Sequence, residues 1–178
     1  MNLGQTMITI GMFVLLVMSV ISANRMLLEN TEVTYATEAL TAAASVGQDL
    51  LQEAMGKNFD ANSDDSGTQD TTAFTLPGGL GPTYWEGVAV GTLPDSSYTG
   101  NFKSIANYND LDDYKGYRRL VTANNISGFI AATTVYYVTE DNPDVPSSSR
   151  SFYKVIEVSV SHPLYLKEPM TLTGLLSY

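Results

Sequence analysis

The chain has no cysteine. No disulfide can staple it, and no thiolate can serve as nucleophile or metal ligand. That absence suits a reducing compartment, and equally an exported protein held together by other means. There is one histidine, His162, ahead of Pro163. A lone imidazole without thiolates cannot build the usual zinc cluster. No G-x-S-x-G elbow occurs, so a serine-hydrolase arrangement has no starting point. The run PGGLGP (77–82) lacks the lysine and the following helix pattern of a phosphate loop, and its glycines read as turns. No enzymatic activity is expected. Basic residues are scarce, 9 against 19 acidic, for a net charge of −10. Such a surface repels phosphate backbones, so nucleic acid is not expected as a partner.

Two further absences mark the N-terminal part. No charged side chain precedes Arg25, and no proline precedes Pro77. Thr6 to Ala23 is mainly Met, Ile, Val, Leu and Phe, close to the lower length for a membrane-spanning helix, which needs about 20 apolar residues. Its Thr and Ser hydroxyls can bond back to helix carbonyls and so cost little in lipid. A secretory signal would need a basic start and a break after a cleavage site. Met1 to Gln5 carries no charge, and the helical pattern continues.

What continues is amphipathic. Ala36, Leu40, Ala43, Gly47, Leu50 and Ala54 recur at spacings of four and three, one stripe of a helix. Arg25 with Glu29, and Glu53 with Lys57, are one turn apart and able to pair. Gly56 stands where a C-cap glycine would end the helix. An unbroken helix from about residue 3 to 55 is roughly 80 Å long, too long to bury against one small domain. Its N-terminal half must find lipid or copies of itself. The small stripe residues permit close packing of a helix on its own domain.

Beyond Gly56 the chain turns polar and rich in Asp, Asn, Ser, Thr, Gly and Pro, a connection with several turns. From Trp85 onward strands are expected: GVAVGTL (87–93), SGFIAATTVYYVTE (127–140), SFYKVIEVSVS (151–161) and EPMTLTGLLSY (168–178). In the third, Ile156, Val158 and Val160 alternate with Glu157, Ser159 and Ser161, as in a half-buried antiparallel strand. DNPDVPSSSR (141–150) reads as an exposed hairpin loop. The fold class is therefore α+β, a long N-terminal helix packed on a C-terminal antiparallel sheet domain. The expected divisions are an apolar helix (1–24), its amphipathic continuation (25–56), polar connecting loops (57–84) and the sheet domain (85–178).

The opening MNLGQTMITIGMFVLLVMSVISANRMLLEN, the helix to Gly56 and the β-rich remainder resemble a type IV pilin or a pilin-like subunit of that superfamily. The resemblance implies a structural subunit. It is held in the inner membrane by the apolar half-helix, then extracted by pilus assembly machinery and packed with identical helices in the core of an extracellular cell-surface filament. Met1, Gln5, Ile8, Phe13, Val14, Leu16, Val17 and Val20 would lie in that core. The sequence departs from the family in three ways. No short basic leader stands ahead of the apolar run, which is expected if the chain is the mature form or if processing is unusual. The glutamate usual at the fifth mature position is replaced by Gln5 if Met1 is the mature start, and cleavage after Gly4 is the alternative. The proline near the membrane exit is missing too, which predicts a helix without a melted stretch. The competing function is a membrane-anchored minor pseudopilin, or a secretion or binding component with one N-terminal helix. The uncharged start favours the polymer, since a simple anchor keeps Lys or Arg on its cytoplasmic side.

Two acidic stretches offer oxygen ligands of the kind calcium takes. One places Asp60, Asn62 and Asp64 at alternate positions; the other holds Asp110, Asp112 and Asp113. Both read more simply as acidic turns, because Asp and Asn bond their own backbone there. No other cofactor is expected. Asn125, in N-I-S, is a glycosylation sequon.

Overall fold

A computed structural model describes residues 2–63, 70–83, 86, 95–96 and 102–178, and the statements below concern these. The first element, α1, is a helix of 53 residues, Leu3–Met55. No proline interrupts it. The hydroxyls of Thr9, Ser19, Thr31, Thr34 and Thr37 donate to carbonyls four residues back at 2.8–2.9 Å, as the sequence led one to expect. The chain divides into two units, residues up to Glu38 and Ala39–Tyr178.

The first unit is helical, and most of its side chains are exposed. Arg25 Nε meets Glu29 Oε1 at 3.4 Å. Both side chains are in solvent, so the pair contributes only a few tenths of a kcal/mol.

The second unit holds the last turns of α1, a short helix α2 (Lys103–Asn107), single 3₁₀ turns at Thr71–Ala73 and Asp112–Tyr114, and five strands. These are β1 (Asp95–Ser96), β2 (Arg118–Ala123), β3 (Ile126–Val138), β4 (Tyr153–Ser161) and β5 (Met170–Ser177), lying side by side in that order. β2 to β5 are antiparallel, and β1 adds two residues parallel to β2. The last three strands coincide with the expected ones because β-branched and aromatic residues alternate in them with polar ones. Trp85 and the expected strand at 87–93 lie outside the described residues.

Asn124 and Asn125 join β2 to β3 with φ of 50° and 62°. A two-residue hairpin of matching twist requires positive φ at both positions, which Asn tolerates. Gly128, at φ 106°, is the extra residue where the β2–β3 register shifts. It forms a bulge against His162.

The register puts Ala131, Val160 and Met170 in one row, then Thr133, Val158 and Leu172, then Val135, Ile156 and Gly174, then Tyr137, Lys154 and Leu176. Ala39, Ala42, Ala43, Val46, Leu50 and Ala54 pack on this sheet as one core with Val135, Ile156, Val158 and Val160. The approach is close because two side chains are missing. A Cβ on Gly47 would lie 2.2 Å from Leu172 Cδ1, and one on Gly174 would lie 2.7 Å from Met55 Sδ. The expected stripe is rotated slightly. Ala43, Gly47, Leu50 and Ala54 are buried, but Leu40 is 47% exposed, and Ala39, Ala42 and Val46 take the contact. Spacings of three and four define several adjacent stripes, and the smallest residues lie nearest the sheet. Gly56 does not adopt the left-handed cap conformation. Its N–H donates to Gln52 O at 3.0 Å in an ordinary turn.

Candidate functional site

Two features of the molecule stand apart from an ordinary helix-on-sheet core: an exposed apolar segment and a buried charge cluster. The first is the apolar start of α1. Ile8, Phe13, Val14, Leu16, Val17 and Val20 are between 38% and 67% exposed. Gln5 is exposed as well, and Met1 lies outside the described residues. Leu3, Met7, Ile10, Met12, Leu15, Met18 and Ile21 are equally open, so apolar surface surrounds the helix. Among the described residues this is the one helix long and apolar enough to cross a membrane, and none of its most apolar stretch is buried within the fold. A soluble surface helix hides an apolar stripe and shows a polar one. This segment has no polar face to show.

The second feature is a buried ionic cluster. The sequence suggested two separate acidic turns, and the structure brings Asp60 of the first together with Asp112 of the second around one ammonium. Lys154 Nζ donates to Asp60 Oδ2 at 2.9 Å, to Phe59 O at 2.7 Å and to Asp112 Oδ1. Lys154 and Asp60 are fully buried, and the Asp112 side chain is 4% exposed. The ammonium also lies over the rings of Phe59 and Tyr137, 4.4 and 5.0 Å from their centroids. The two carboxylates are not equivalent. Asp60 accepts from Asn62 N, Thr75 N, Thr75 Oγ1, Tyr137 Oη and Lys154. Burial opposes its charge, but the bonds from Lys154 and Thr75 outweigh it and hold its pKa below the usual carboxylate range. Asp112 has fewer donors, and burial pushes its pKa up despite Lys154.

The neighbouring carboxylates are strained electrostatically too. Burial, followed by the charges of Asp112 and Asp113, raises Asp110 to about 7. Burial, with Glu86 adding to it, raises Asp113. Asp110 Oδ1 accepts from Asp112 N at 2.7 Å, and Asp113 Oδ2 from Asn109 N at 2.9 Å. These are the self-bonded turns that Asp favours. Among the described residues no group of three or more His, Asp or Glu side chains is arranged to hold a metal ion. Asn62 bonds within its own turn, and Asp64 lies outside the described residues.

Sequence reasoning missed Lys154, and a signal for it was there. Lys154 falls in phase with Ile156, Val158 and Val160, on the inward face of β4. A charge at an inward position demands a buried partner. Glu53 does not use the one-turn pairing that its spacing allows. Instead of meeting Lys57 along the helix, it accepts from Arg119 Nη1 at 2.7 Å, Ser104 Oγ at 2.6 Å and Tyr114 Oη at 2.8 Å. Lys57 Nζ donates to the carbonyls of Ile105 and Tyr108. Glu53 faces inward from the helix, and three donors in a half-dry site outcompete one solvated ammonium.

The remaining candidates are placed simply. Asn125 is exposed at the β2–β3 turn, where a glycan has room. His162 is buried. Its Nδ1 accepts from the N–H groups of Leu164 and Tyr165, and its Nε2 meets Ser127 O at 3.1 Å. It therefore closes the turn after β4.

A long apolar N-terminal helix whose C-terminal turns pack on an antiparallel sheet is compatible with a pilin-like fold. Comparison with protein-family models, with curated proteins and with solved structures returns no match.

Proposed function

We infer that this chain is a structural subunit of an extracellular helical filament, polymerising through the apolar start of α1. One observation carries the reading: apolar side chains are exposed around the whole circumference of that segment. A helix apolar all round is stable in lipid, and it can exchange lipid for identical neighbours at little hydrophobic cost. Repeated head-to-tail contacts that do not close into a ring then build a filament. Membrane residence before assembly, and assembly machinery as partner, belong to this reading. The chain does no chemistry on a substrate in it.

The second reading, a membrane-anchored pseudopilin or binding component, rests on the same exposed segment and stops at insertion. The substitution Val14→Asp separates either reading from a purely soluble role. Val14 is near the middle of the apolar run, where a carboxylate costs roughly 2.5–3.5 kcal/mol on insertion. The variant is expected to lose filaments and weaken membrane retention, while the melting of the sheet unit is unchanged. Normal filaments and normal membrane retention from Val14→Asp would rule out an apolar packed or inserted segment.

A further inference from the structure

We propose that Lys154 and Asp112 are a self-joining pair: their side chains condense into an intramolecular isopeptide bond, with Asp60 as the residue that promotes the step. The observation is the arrangement of the three groups. A lysine on β4 is sealed at 0% exposure between two aspartates from different parts of the chain, with aromatic rings of Phe59 and Tyr137 over the nitrogen. The nitrogen and the Asp112 carboxyl are held in direct contact. Pre-positioning of this kind replaces an encounter between two reactants and lowers the barrier substantially. Exclusion of water keeps solvent from competing for the nitrogen and the carboxyl carbon.

The roles of the two aspartates differ because their surroundings differ. Asp60 is fixed on both oxygens by five donors besides Lys154, which favour its carboxylate form before and after the step. Asp112 lacks that support, and burial raises its pKa, so of the two it takes up a proton more readily. The step balances without any added reagent. The Lys154 ammonium passes one proton to the Asp112 carboxylate, leaving a free amine beside a carboxylic acid. The nitrogen lone pair attacks Cγ of Asp112 and the N–C bond forms. Asp60 stabilises the positive charge that develops on nitrogen and relays a second proton to the Asp112 hydroxyl. The C–O bond breaks, water leaves, and the amide keeps the third nitrogen hydrogen. Asp60 ends as it began. The bond ties β4 to the turn before β2, across 42 residues of chain. It would give a cysteine-free protein a covalent staple that needs no oxidant.

The test is tryptic peptide mass spectrometry on the full-length wild-type chain, purified in detergent and denatured. Trypsin should fail to cut after Lys154, and a branched peptide should appear that joins residues 104–115 to residues 151–167, lighter than the two parts by one water. Asp112→Ala should abolish it, and Asp60→Asn should reduce it at least tenfold at matched incubation time. Ordinary cleavage after Lys154, with the two peptides separate and of full mass, would overturn the proposal. A branch from Lys154 to residue 60 would overturn the assignment of Asp112 as the carbon that is attacked.

Discussion

The bond network of Glu53 makes a sharp quantitative prediction. Glu53 sits near the end of α1 with its side chain 13% exposed, against an Arg119 side chain that is 4% exposed. Replacing Glu53 with Ala leaves that guanidinium without its anion, and Arg119 Nε already lacks a partner among the described residues. It also strips Tyr114 Oη and Ser104 Oγ of an acceptor. Breaking a buried pair by removing one member costs about 3–5 kcal/mol, since the survivor stays desolvated. For a chain of this size that is a fall in Tm of about 6–20 °C. Had Glu53 paired with Lys57 on the helix surface, the loss would be only about 0.3–0.5 kcal/mol. Thermal or denaturant melts of the detergent-solubilised full chain separate the two cases. Glu53→Leu combined with Arg119→Met should recover much of the loss, because two apolar groups leave no stranded charge. A fall of less than about 1 kcal/mol for Glu53→Ala, or no recovery in the double variant, would refute the reasoning.

Two more outcomes follow from the second unit. Asp110 is raised to about 7 from its ordinary 3.8, so between these values the folded state holds a proton that the unfolded chain has released. Stability should therefore fall as pH rises from about 4 to about 7, and Asp110→Asn should flatten that slope and raise stability at neutral pH. Asp60 acts in the opposite sense: its lowered pKa contributes stability that disappears as the solution is acidified below 3.8. A melt series across pH reads both effects. At the β2–β3 turn, Asn125→Val should cost about 1–2 kcal/mol because its φ is positive, whereas Asn125→Gly should preserve the hairpin. Any glycan on Asn125 would be lost in both, visible as a drop in mass.

Much of the architecture could be read directly from the residues. The alternation of Ile156, Val158 and Val160 with Glu157, Ser159 and Ser161 marks β4 and its buried face. The uncharged run before Arg25 marks the exposed apolar start of α1. The ionic cluster was harder to see. Asp60 and Lys154 are 94 residues apart, and each acidic stretch looks complete as a turn on its own. Only the packing of the loop after α1 against β4 makes one ammonium their common partner. Lys154 nevertheless advertised itself by its inward phase. The pairing of Glu53 failed for a related reason: helix spacing identifies local partners, while Arg119 arrives from β2. The rotation of the buried stripe away from Leu40 was set by Gly47 and Gly174, whose missing side chains fix where helix and sheet come closest.

The filament reading is tested most directly by electron cryo-microscopy of material sheared from the surface of cells that express the chain. Thin filaments whose core is a bundle of the apolar segments up to about residue 24, with the sheet units outside, are the predicted result. Absence of the chain from the sheared fraction, together with its complete recovery in the membrane pellet, would contradict polymerisation and leave the anchored component in its place.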